Sequence, residues 1–203
     1  MNRIKNRERI FKMVGIAMLS AIVVILQLLG SFIKFGPFSI SLVLVPIVVG
    51  AGVYGFGAGT WLGFVFAITV LLSGDAATFL AINPAGAVIT VIAKGVLAGL
   101  AVDIVYGGLQ KYNKYLAIIL SAVICPVVNT GIFLLGCKIF FMGTITEWAS
   151  AWSAQQGGAT NILAYFIFGL VGGNFIFELL ANIVMCPVIL KLVNIGYSKI
   201  KLK

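Results

Sequence analysis

Lys94 is a lysine in a costly place. It lies inside the apolar run 85–100. If that run crosses a bilayer, at about 1.5 Å per residue, its ammonium sits roughly 15 Å below the surface. Insertion there costs about 2.5–3.5 kcal/mol, so the side chain is expected to face protein, water or a ligand. Asn129 and Asn174 are amides in other apolar stretches. A lysine and two amides converging at one depth suit a small anionic molecule that also carries amide or hydroxyl groups. The competing reading is hydrogen bonding between helices, which contributes about 0.6 kcal/mol per contact. The residue types alone leave both open.

Other chemistries are excluded more firmly. The chain has no histidine, which removes HExxH zinc sites, haem ligation and the usual Ser-His and Cys-His pairs. Its acidic residues are Glu8, Asp75, Asp103, Glu147 and Glu178, a sparse set for an intramembrane enzyme or a carboxylate relay. Cys125, Cys137 and Cys186 show no CxxC spacing and read as small packing residues. No GxxxxGK[ST] phosphate loop is present, so any ATP-driven step must use a partner's ATPase. The expectation is a binder or a conduit with no enzymatic activity and no cofactor.

The elements that hold these residues follow from composition. Of the 203 residues, 62% are hydrophobic and 9% charged, and the mean hydropathy is +1.17. A soluble domain of this length could not hide that much apolar surface, so an all-α integral membrane protein is expected. We read it as one domain over residues 1–203, multi-pass in a cell membrane, with a basic cytoplasmic tail over 1–9. The net charge of +9 is concentrated at the two ends, in Arg3, Lys5, Arg7, Arg9 and Lys12 and in Lys191, Lys199, Lys201 and Lys203. That placement fits cytoplasmic flanks rather than a nucleic-acid surface. The first apolar run is long and lacks a small-residue cleavage site, which favours a retained helix over a signal peptide.

The pattern predicts a compact bundle of six transmembrane helices over 10–31, 39–54, 57–73, 83–106, 115–141 and 161–193. The loop 107–114 carries Lys111 and Lys114, whereas the links on the opposite side hold only Lys34 as a base. This asymmetry predicts both termini inside the cell. The segment 143–160 is polar but places Trp148 and Trp152 on one helical face. It reads either as an interfacial anchor or as part of a wall over an external pocket.

Ala17-Met18-Leu19-Ser20-Ala21 follows the basic N-terminus and leaves a smooth face for another helix. With the layout above, the 41–59 stretch from Ser41-Leu42-Val43 to Gly57-Ala58-Gly59, and Ser73-Gly74-Asp75, the chain resembles the substrate-binding S components of energy-coupling factor (ECF) transporters. The resemblance covers nearly the whole chain. It implies a subunit of the bacterial plasma membrane that captures a vitamin or related micronutrient from outside. It further implies association with a membrane-embedded coupling protein and two cytoplasmic ATPases, and a toppling motion that carries the site inward. Ala17 and Ala21 inherit the role of contacting the coupling protein.

The resemblance also implies a site in the outer half, where Lys94, Asn129 and Asn174 fall. Lys34 and Phe35 belong to the link that closes over the ligand in the family; a lone lysine there is otherwise an ordinary exposed residue. Asp75 either contacts ligand, balances Lys94 or caps a turn. Asn83-Pro84 reads first as a helix N-cap followed by proline at the first helical position, and second as a ligand contact. Trp148 joins the candidates through the wall reading. Glu178 is expected to pair with a lysine or face the coupling protein, and Asp103 to be solvated. Lys94 has few aromatic residues near it in sequence. A carboxylate-bearing compound such as pantothenate therefore fits better than a flat neutral ring such as riboflavin. The alternative is a small pore-forming or holin-like protein, which would need polar residues along a stripe from one side to the other.

Overall fold

The computed structural model describes residues 2–32, 34–35, 38–39 and 42–201, with side chains over 6–32 and 42–195. Helix α1 (Asn2–Ser31) leads into a two-stranded antiparallel hairpin, β1 (Lys34–Phe35) and β2 (Phe38–Ser39), that pairs Lys34 with Ser39 and Phe35 with Phe38. Then come α2 (Leu44–Tyr54), α3 (Ala58–Leu72), the short α4 (Ala77–Ile82), α5 (Pro84–Leu109) and α6 (Lys114–Phe140). Helix α7 (Met142–Gln155) covers much of the segment that sequence left between an anchor and a wall. The last expected helix is interrupted: α8 (Ile162–Ala164) runs into a π-helical turn, Tyr165–Leu170, before α9 (Gly172–Lys201).

The chain is an all-α membrane protein. Four helices, α1, α5, α6 and α9, are long and apolar enough to cross a bilayer. Helices α2 and α3 are apolar but have 11 and 15 residues, short of the roughly 20 that a full crossing needs. Of the six expected crossings, four are thus matched by helices of spanning length, and α2 and α3 stand at the other two as shorter apolar helices. The shortness of α2 fits its position. Nearly all of it is buried, from Leu44 through Val53, and it packs against α1, α3, α5, α6 and α9. Its Pro46 stands in the first turn, where a missing N–H leaves no gap in the ladder.

Helix α5 packs most extensively, against α6 and α3. Two small-residue pairs bring α3 and α5 into backbone contact. A Cβ built on Gly63 would fall 2.1 Å from the Gly95 carbonyl oxygen, and one on Gly99 would fall 2.2 Å from that of Gly59. Gly59 and Gly63, like Gly95 and Gly99, are four residues apart, so each pair forms one smooth helical face.

At the end of the bundle where α2 meets α3, Asp103 accepts four hydrogen bonds. They come from the backbone N–H of Gly57 (3.1 Å), Gly59 (3.0 Å) and Thr60 (2.8 Å) and from the Thr60 hydroxyl (2.7 Å). The expectation of a solvated Asp103 is overturned: it is 2% exposed. Its carboxylate takes the place of water at the orphan N–H groups of α3, where the helix dipole also favours negative charge. The same end holds the Lys114 contact to Asn194 (2.6 Å), which ties the start of α6 to α9.

Candidate functional site

The other half of the bundle encloses a cavity. It is lined by groups from six helices and the α3–α4 turn, and its empty volume, mouth included, is about 780 Å³. Helix α1 contributes Gln27 and the turn contributes Asp75. Helix α5 contributes Thr90 and Lys94, α6 Asn129 and Thr130, and α9 Asn174 and Glu178. The pairs on α5 and α9 are each spaced i, i+4, so each presents both polar groups on one face.

Lys94 extends between two aromatic rings. Its Nζ is 5.6 Å from the centroid of Phe66 on α3 and 5.5 Å from that of Phe133 on α6. A cation over a ring face is attracted by the ring quadrupole, more strongly where water is thin. The carboxylates of Glu178 and, less strongly, Asp75 also attract this charge. The α3–α5 glycine contact sets this arrangement: Gly95 follows Lys94, and Phe66 stands three residues beyond Gly63.

The expectation of few aromatics around Lys94 is corrected by the fold. Phe66, Phe79, Phe133, Phe141 and Phe175 all line the cavity. They come from separate elements, so distance along the sequence hid them.

The two acidic side chains orient two amides. Gln27 Nε2 donates to Asp75 Oδ2, and Asn174 Nδ2 donates to Glu178 Oε1 at 3.2 Å. An amide whose nitrogen is committed to a carboxylate has its oxygen left over. Gln27 Oε1 and Asn174 Oδ1 are indeed buried without a hydrogen-bond partner among the described residues, as are Asn129 Oδ1 and Thr90 Oγ1. Buried polar atoms of this kind are rare and call for a bound water or ligand group. Glu178 is 2% exposed and faces the interior. Its backbone carbonyl also accepts from Asn182 Nδ2 at 2.9 Å.

Of the sequence candidates, Lys94, Asn129, Asn174 and Asp75 meet at this cavity. Asn83 serves as the N-cap of α5, its Oδ1 accepting from Gly86 N–H at 2.9 Å, and lies outside the lining. Trp148 stands one layer back, its ring edge-on to Phe79 at 5.9 Å, while Trp152 packs on Tyr165 at 6.0 Å. Lys34 and Phe35 form β1, and their side chains lie outside the described residues. Ala17 and Ala21 are exposed on α1, the long helix with the least buried apolar window.

Sequence reasoning passed over Gln27, Thr90 and Thr130. Gln27 did carry a signal, as a lone amide within an apolar helix. The three cysteines are free and buried.

A family model for the substrate-specific component of ECF transporters matches residues 11–192. The chain belongs to this family. A search of curated proteins gives no match. As an S component it is a multi-pass membrane subunit of a transporter, a class of substrate-specific subunits rather than enzymes. The family implies a small-molecule substrate and an ECF module comprising a coupling protein and ATPases.

Proposed function

We propose that this S component captures a vitamin-sized nutrient in the Lys94 cavity and delivers it to a coupling protein served by two ATPases. The observation that carries the reading is the convergence of Lys94, Asn129 and Asn174 with Asp75 and Glu178 on one enclosed volume. The mouth faces outward if both termini are cytoplasmic, as the lysine and arginine distribution favours. The exposed Ala17–Ala21 face of α1 is then free to meet the coupling protein's helices. Lys34 and Phe35, in the hairpin after α1, would belong to the link that closes over the ligand.

A pore is less well supported. The polar stripe of α9 passes from Asn174 through Glu178 to Asn182, but the interior beyond is filled by Ile118, Ile189, Val193 and Ile47. Such a plug suits a site that closes at one end.

The reading is tested by purifying the tagged chain from its native membranes and identifying bound proteins and small molecules by mass spectrometry. Recovery of a coupling protein, two ATPases and a small molecule is expected. A ligand-free homo-oligomer with no ATPase contradicts it.

A further inference from the structure

Gln27 stands on the helix that also carries the proposed docking face. Among the described residues of α1, Gly15, Val23 and Gln27 are the buried ones, and their spacing puts them on one side of the helix. Ala17 and Ala21 are exposed. Helix α1 packs chiefly on α3 and α2, and it is the least buried of the four long helices. Lipid supplies no hydrophobic force to press a helix onto a bundle, so close packing and polar contacts must hold it.

These contacts differ in kind along α1. Gly15 makes room for the Tyr54 ring, which a Cβ at that position would strike. Trp61 Nε1 donates to Ser20 Oγ at 3.2 Å, at an exposed position. Gln27 is 2% exposed, and its Nε2 donates to the Asp75 carboxylate. A hydrogen bond to an ionised acceptor is the stronger kind, and here both partners line the cavity. A molecule that fills the cavity therefore touches the contact that seats α1.

We propose that the Gln27–Asp75 contact is a latch through which an occupied cavity fixes α1 and, with it, the Ala17–Ala21 docking face. The inference rests on the capture reading above and names the regulation of the same site. An occupant packed on Gln27 has that contact only while α1 is seated, so it favours the seated state. By linkage, a partner that docks on seated α1 binds the loaded protein better, and the docked protein holds its occupant better. Gln27 and Asp75 are positioning residues in this linkage.

The test places a reporter thiol on the seated side of α1. Val23 is fully buried one turn from Gln27, so Val23→Cys reacts with a small maleimide in detergent when α1 lifts. The native cysteines are buried, and the chain without Val23→Cys gives their background. Dialysed protein is assayed with and without the small-molecule fraction released by denaturing wild-type preparations. The fraction is expected to slow labelling about fivefold or more and to raise recovery of the coupling protein. Adding Gln27→Leu should abolish both effects, while mass spectrometry still finds the fraction bound. Asp75→Asn keeps the side-chain size, should reduce both effects, and decides the matter if Gln27→Leu misfolds. Labelling that ignores the fraction, or that responds equally in the latch variants, overturns the inference. Loss of binding in both variants also overturns it, because the two residues would then be ligand contacts alone. A wild-type preparation that releases no small molecule overturns the capture reading and the latch with it, whereas the other failures leave capture intact.

Discussion

Gly63 of α3 touches Gly95 of α5 backbone to backbone: a Cβ on Gly63 would lie 2.1 Å from the Gly95 carbonyl oxygen. This contact holds Phe66 against the Lys94 ammonium and so links helix packing to the chemistry of the cavity. Gly95→Leu should force the helices apart, at an overpacking cost of about 1–3 kcal/mol. The expected outcome is a lower unfolding temperature in detergent together with weakened ligand binding. An unchanged unfolding temperature would show that the two helices are free to separate without loss.

Asp103 gives a second, separable expectation. Asp103→Ala leaves three N–H groups and the Thr60 hydroxyl without their acceptor at the start of α3. Hydrogen bonds to a charged group contribute about 1.5–3 kcal/mol, and water entering the gap offsets part of the loss. Thermal unfolding should therefore shift clearly downward, while ligand affinity measured well below the transition stays close to wild type. Asp103 lies at the opposite end from the cavity, so a selective loss of binding would contradict the structural role.

Lys94→Met removes the cavity's one described ammonium. It should weaken substrate capture about tenfold or more, with membrane insertion and recovery of the coupling protein unaffected. Loss of assembly with capture preserved would make the lysine a structural residue. Equilibrium binding and partner recovery on the same preparation read the two effects together.

Ala17→Leu with Ala21→Leu should do the reverse. Both residues are exposed on α1, and bulkier side chains there would keep another helix from approaching closely. Partner recovery should fall sharply while ligand binding persists. Normal recovery would move the docking face elsewhere.

Much of this fold was legible because membrane solvation constrains sequence so strongly. The apolar runs, the basic flanks and the Asn83-Pro84 cap marked α5 and α6 to within about three residues at each end, whereas α1 starts well before the expected residue 10 and α9 starts well after the expected residue 161. Depth along a helix also brought Lys94, Asn129 and Asn174 to one level, since rise per residue is nearly constant. What a single helix does not encode is which face meets which neighbour. The rings beside Lys94 come from α3 and α6, and the glycine pairs that bring α3 close were passed over. Asp103 was misread for the same reason: its partners lie more than 40 residues away in sequence, at the start of another helix. The π-helical turn at Tyr165–Leu170 leaves no comparable pattern in the apolar run that contains it.

The central claim is that this cavity holds the transported compound. The most direct measurement compares the wild type and Lys94→Met, each purified from native membranes, for both partner proteins and small molecules released on denaturation. The account predicts that both preparations contain the coupling protein and ATPases, and that the small molecule is abundant in the wild type and depleted in the variant. Equal recovery of the small molecule from both, or its absence from a wild-type preparation that retains its ATPases, would contradict it.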